Sequence, residues 1–389
     1  MRLNPHVLAA QVEDFGPVRR AQTDPAVISL AVADPYKRPF PHVVDAYHAA
    51  IDAGFTRYGP SEGFRDLREA IAHKLATRNA IQADPETEIL VTHGAGNGFL
   101  LSLIACLEPG DEVLTPDPSF PLNFGATQVL GAMPVSCPVD GPDGVDTLPD
   151  RLAEALTPRT RLIILHNPNN PTGDVLPREV LERIARLAQA HDLWVLSDEV
   201  YEHFVYDGRE QVSIAALPGM KERTITLFSF SKDYGLSGLR IGYLTAGRPV
   251  VAAISRIQRN DGSGANAPAQ RAALAALTGP QEELDAWLVE FDAARRQTVA
   301  ALRQVRGVTC PLPAGGYFVF PDLAAYGESE ALCRRVLEEA RVGLAPGTWY
   351  GRRGAGHVRL CYAGAPPGRL AEALARIASF LEHLRRVDR

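Results

Sequence analysis

Between residues 89 and 245, short apolar runs alternate with helical patterns, and this alternation restricts the fold more than any other property of the chain. Residues 89–92, 112–115, 133–136, 161–165, 193–197 and 224–228 read as strands; residues 99–107, 122–130 and 178–191 read as helices. Strand–helix–strand succession of this kind predicts βαβ units around a mostly parallel central sheet flanked by helices. A different rhythm begins with a long helical stretch at 281–305. It continues through Gly315-Gly316-Tyr317-Phe318-Val319-Phe320, a helix near 331–340 and a last helix at 369–384. The chain has 389 residues, 46% of them hydrophobic, enough for two domains. The expected α/β architecture is a large domain over 41–280 and a smaller α+β domain over 281–389. An N-terminal arm, 1–40, contributes to the smaller domain. Met133, Trp194 and Trp287 are expected in the core.

Charge and cysteine usage narrow the functional classes. A net charge of −6 with no Lys/Arg block argues against nucleic acid as a partner. The longest apolar stretches are too short to span a bilayer, and Met1-Arg2-Leu3-Asn4-Pro5-His6 has no signal-peptide core. Cys106, Cys137, Cys310, Cys333 and Cys361 are odd in number, scattered and free of CxxC spacing, which fits unpaired thiols in a reducing cytoplasm. No metal site is expected: there is no HExxH, and His42 and His48 stand six apart, which suits no single helical face. Gly94-Ala95-Gly96-Asn97-Gly98-Phe99 departs from a dinucleotide fingerprint at its sixth position, Phe99.

Polar residues gather just after the strands, where open α/β sheets bind ligands. Gly94–Gly98 follows the first run. His166-Asn167-Pro168-Asn169-Asn170-Pro171-Thr172-Gly173 follows the fourth. Asp198 closes the fifth in Ser197-Asp198-Glu199-Val200-Tyr201, and Ser229-Phe230-Ser231-Lys232 follows the sixth, with Arg240 eight residues on. A lysine at the mouth of a buried strand is poorly placed as a solubiliser. It is well placed to form a Schiff base with an aldehyde cofactor, because a partly desolvated amine loses its proton readily.

These motifs, with Gly238-Leu239-Arg240-Ile241-Gly242-Tyr243, run in one order over about residues 30–359, and the chain resembles the class I/II aminotransferases of the aspartate aminotransferase type. These are pyridoxal-phosphate enzymes of fold type I. The resemblance implies a homodimer that exchanges the amino group of an L-amino acid with a 2-oxo acid, 2-oxoglutarate being the expected acceptor, by ping-pong chemistry. It implies that Lys232 forms the internal aldimine and shuttles the substrate proton, that Asp198 faces the pyridine nitrogen, and that Tyr201 and Asn170 bond the ring's phenolic oxygen. Ala95, Gly96, Ser229 and Arg240 would hold the phosphate, joined by Tyr58 from across the dimer interface. Phe120 would stack on the ring, and Arg359, in His357-Val358-Arg359-Leu360, would grip the substrate α-carboxylate beside Asn170.

One position departs from the pattern. Val32-Ala33-Asp34-Pro35 carries Ala33 where the family usually has Gly beside the substrate, and the phrase resembles the C–S β-lyases of the same fold. Elimination is therefore the alternative to transamination. A non-catalytic effector module is a further alternative, but it would need a DNA-binding segment ahead of residue 30. The expected side-chain pocket comprises 34–40, 256–266 and 350–353. Lys37, Arg38, Arg259, Arg352 and Arg353 are expected as surface charges, and Glu202-His203 as solvated or packing residues.

Overall fold

The computed structural model of the chain describes residues 3–10, 18, 23–139 and 144–387; of the expected N-terminal arm, 1–2, 11–17 and 19–22 lie outside the described residues. Strands form where the apolar runs fall. They are β1 (Ile28–Ser29), β2 (Ile89–Thr92), β3 (Glu112–Asp117), β4 (Met133–Pro138), β5 (Thr160–His166), β6 (Trp194–Asp198), β7 (Thr224–Ser229) and β8 (Gly242–Thr245). Further on come β9 (Phe318–Val319), β10 (Val342–Gly343), β11 (Ala345–Pro346) and β12 (Val358–Cys361). Seven strands make the central sheet in the order β2-β8-β7-β6-β5-β3-β4. Only β8 opposes both its neighbours, so the other six run one way and their C-terminal ends share one edge.

Helices cover the sheet. Ala95–Cys106 follows β2, Leu122–Val129 follows β3, and Arg178–Ala190 follows β5, each burying an apolar face. The first of these begins four residues ahead of the expected 99, because Gly94 adopts φ +84° as its N-cap. Strands β3 and β7 are buried at every residue, as sheet members covered on both faces must be. Strand β4 lies at the edge, and this corrects one expectation: Met133 is 51% exposed rather than part of the core. Trp287 is buried and Trp194 packs against the core from its margin.

The remaining elements join both ends of the chain. Ile28 of β1 pairs in parallel with Val342 of β10, and β11, β12 and β9 form an antiparallel sheet. The long helix Glu282–Gln304, the helix Ser329–Arg335, whose end widens over Val336–Ala340, and the helix Pro367–Val387 accompany them. Arg295, fully buried on the long helix, donates to Asp207, Asp292 and the carbonyl of Pro313, tying that helix to the loop beyond β6. Among the described residues no helix is long and apolar enough to cross a membrane, and all five cysteines are free.

Candidate active site

Arg240 takes a left-handed conformation, φ +54°, at the turn before β8. This swings its guanidinium against Gly94, where an added Cβ would lie 2.7 Å from Nη2. Gly94 leads into the helix Ala95–Cys106, whose first N–H groups, those of Ala95 and Gly96, have no carbonyl partner within the helix. A guanidinium and a helix N-terminus therefore meet at one point, the arrangement that a phosphate dianion requires. Ser229 ends β7 opposite Gly242 and accepts a hydrogen bond from Ser231 N at 3.1 Å, capping the turn Phe230–Asp233 that carries Lys232.

Asp198 ends β6 in register with His166 on β5. Its Oδ1 accepts from Val200 N at 3.1 Å, and its Oδ2 faces His166 Nδ1 at 3.4 Å. The other ring nitrogen of His166 lies 2.9 Å from Asn123 Oδ1, and Asn123 Nδ2 donates to Thr115 and Ser119. Burial pushes the His166 pKa down, against the opposing pull of Asp198. Phe120 meets the His166 ring edge-on at 5.8 Å. The sequence reading left His166 and Asn123 without a role. The available signal was register: His166 and Asp198 close adjacent strands at the same level.

The chain has four lysines. Three are ion-paired, Lys37 with Glu290, Lys74 with Glu202 and Lys221 with Glu88. Lys232 instead donates to the backbone carbonyl of Ala33 at 2.6 Å, with its Nζ 5.8 Å from the centre of the Tyr201 ring. Burial lowers the pKa of this amine; Asp34 opposes the shift and Arg359 reinforces it. Tyr201 is buried edge-on against Tyr317 and Phe318, and burial raises its phenol.

Arg359, 5% exposed on β12, donates from Nη2 to the carbonyl of Ala31 at 2.6 Å and from Nη1 to Asn170 Oδ1 at 3.0 Å. Its Nε is buried with no partner, and the rings of Tyr350 and Phe318 lie 5.0 and 5.7 Å away. The Asn170 loop is held from behind. Gly173, at φ +74°, packs so closely that a Cβ would fall 2.4 Å from Pro313 Cβ and 2.6 Å from the Gly315 carbonyl. Lys232, Ala33, Tyr201, Asn170 and Arg359 thus come together, as do Gly94, Ala95 and Arg240. Tyr58 does not join them within the chain: it is 91% exposed. Of the residues expected as surface charges, Lys37 pairs with Glu290 and Arg259 with Glu62. Of the two roles expected for Glu202 it takes the packing one, buried against Lys74, Arg78 and Asn79.

The residues fit pyridoxal phosphate. A desolvated amine not held by any carboxylate, a carboxylate at a strand end, and an anion cradle at a helix N-terminus are the three features that this cofactor needs. Solved structures share the whole arrangement of elements. An aromatic aminotransferase from Pyrococcus horikoshii matches with a TM-score of 0.88 at 36% identity, over 95% of this chain and 99% of that one. A Thermus thermophilus aspartate aminotransferase mutant matches with a TM-score of 0.88 at 32% identity, over 97% of this chain and 100% of that one. The fold is therefore that of the pyridoxal-phosphate enzymes of fold type I.

The chain belongs to the class I and II aminotransferases, whose family model matches residues 25–377. It is similar to aromatic-amino-acid aminotransferase 2 of Thermococcus litoralis, with 37% identity over 93% of each chain. It is equally similar to an aspartate aminotransferase of Pyrococcus abyssi, with 37% identity over 91% of this chain and 92% of that one. It is a pyridoxal-phosphate-dependent amino-acid aminotransferase, and the β-lyase alternative is not favoured.

Proposed function

We propose that the protein transfers the amino group of an L-amino acid to a 2-oxo acid, with 2-oxoglutarate as the expected acceptor, in two half-reactions that alternate at one site. The observation that carries this reading is the docking of Arg359 on the Ala31 carbonyl and of Lys232 on the Ala33 carbonyl. Two residues of chain span about 7 Å at most. A carboxylate grip and a reactive amine therefore address the same small molecule.

Pyridoxal phosphate, when bound, supplies the electron sink for the bond broken at the substrate Cα. Every other task falls to the chain. Arg359 accepts the α-carboxylate in a bidentate, desolvated pair and so fixes the direction of the Cα–H bond. Lys232 would provide the amine that bonds the cofactor and, once displaced, the base for the Cα proton; burial lowers its pKa, which favours the free amine that both tasks need. Asp198 would face the pyridine nitrogen and favour its protonated form; His166 faces that carboxylate, and Asn123 holds His166.

Asn170 accepts from Arg359 through its Oδ1, which leaves its Nδ2 free to donate; with Tyr201 it would bond the ring's phenolic oxygen. Arg240, Ser229 and the N–H groups of Ala95 and Gly96 would take the phosphate, and Phe120 would cover the ring. The reading extends to a homodimer in which the exposed Tyr58 completes the partner's phosphate site, to a cytoplasmic location, and to a cofactor-binding domain over 41–280 packed against 281–389 and the N-terminal arm. The test is the half-reaction. One amino acid added without an oxo acid should release one equivalent of its oxo acid per site and then stop; continued release of ammonia would point to elimination instead.

A further inference from the structure

Against the turn that carries Lys232 lies a cavity of about 350 Å³, and apart from Ser229 none of its polar lining residues has a part in the proposed reaction. Asp233, the residue after Lys232, lines it. Its residue is 7% exposed, and its Oδ1 is buried without a hydrogen-bond partner. The helix Arg65–Arg78 presents His73, Lys74 and Arg78 to the cavity, and the segment after β6 presents Glu202 and His203. Tyr234 and Tyr243 close one side, and Asp285, next to Gln281, lies at the start of the long helix. Lys74 is not available to neutralise Asp233: it is ion-paired with Glu202, and its Nζ sits 3.9 Å over the Phe228 ring. Glu202 also accepts from Asn79 at 2.6 Å. Arg78 is also turned to Glu202, at 3.9 Å, so a second carboxylate in this space has desolvation and a like charge to contend with, opposed only by two cations that already pair with Glu202.

We propose that Asp233 is a positioning residue for Lys232, whose un-ionised carboxyl lets the Phe230–Asp233 turn pack against the Lys74–Glu202 pair and whose ionisation loosens that turn. Burial pushes the Asp233 carboxyl up to about 8; Glu202 reinforces the shift, and Lys74 and Arg78 oppose it. The helix is a single turn of four residues held by the Ser229 cap. Displacement of Asp233 is therefore passed directly to the neighbouring lysine. The step is a proton leaving Asp233 for solvent, with no other bond made or broken. The inference rests on the assignment of Lys232 as the cofactor-bonding residue.

Two readouts test it. The folded state holds the Asp233 proton more tightly than the unfolded chain, so the stability that this gives is fully present near pH 4 and is lost as pH rises through 8. In thermal melts of the cofactor-free protein, Asp233→Asn should therefore gain on wild type steadily between pH 5 and about pH 8 and level off above it. In the holoenzyme, wild-type kcat should fall about tenfold from pH 7 to pH 9, as the un-ionised fraction does. That alkaline limb should be missing in Asp233→Asn, with KM for the amino acid following the same course in both proteins. Melting curves that stay parallel overturn the ionisation, and an alkaline limb that survives in the Asn variant overturns the positioning role. Full turnover by Lys232→Ala, measured alongside, would refute the assignment of Lys232 while leaving the melting result to stand by itself.

Discussion

Replacing Arg359 with alanine isolates the proposed carboxylate grip. Arg359 is 5% exposed, and its guanidinium is aimed by two acceptors, Asn170 Oδ1 at 3.0 Å and Ala31 O at 2.6 Å. Its Nε is left for an incoming ligand. A substrate carboxylate bound there is held by charge-assisted bonds in a desolvated space walled by Tyr350 and Phe318. Truncating one partner of such a pair costs roughly 2–5 kcal/mol. At 1.36 kcal/mol per decade this is about 30- to 5,000-fold in kcat/KM. The assay compares each amino acid with the amine that lacks its α-carboxylate, in wild type and variant. The amino acid should lose the full factor and the amine little, so that discrimination between them collapses. A loss of under about threefold for the amino acid, or equal losses for both compounds, would refute the reasoning.

The loop and the anion cradle give two further expectations. Gly173→Ala forces a Cβ into Pro313 and the Gly315 carbonyl at a left-handed φ, which should destabilise the protein by about 1–3 kcal/mol. A thermal melt reads this directly, and a midpoint equal to wild type would contradict the close approach. Arg240→Ala removes the guanidinium beside the helix N-terminus and should weaken cofactor binding by roughly ten- to a hundredfold, as loss of one charge-assisted contact does. Equilibrium dialysis of the cofactor measures it, and unchanged affinity would move the phosphate elsewhere.

Much of the architecture is written locally. The runs at 161–165 and 224–228 are apolar enough to be strands and nothing else, and their polar successors mark one edge because parallel strands end together. The motifs carried the candidate site for the same reason: each is a contiguous phrase fixed to one strand. What escaped the sequence depends on distant partners. Strands β1, β9, β10 and β11 are two residues long, and the pairing of Ile28 with Val342 has no local signature. Met133 looked like core because its strand is apolar, but only the strand order puts that strand at the edge. The link from His166 to Asp198 depends on the register of two strands. The burial of Glu202 depends on Lys74, which comes from a helix 128 residues earlier.

The central claim is that one buried site, with Lys232 as its amine and Arg359 as its carboxylate grip, moves an amino group from donor to cofactor and then to an acceptor. The most direct measurement is the single-donor half-reaction. Purified holoenzyme is mixed with one L-amino acid and no oxo acid, and released oxo acid, ammonia and the cofactor's visible absorbance are followed together. The account predicts one equivalent of the matching oxo acid per site, loss of the yellow band, no ammonia, and return of the band when 2-oxoglutarate is added. Lys232→Ala should show none of this. Oxo acid and ammonia accumulating together while the band persists, or an unimpaired half-reaction in Lys232→Ala, would contradict it.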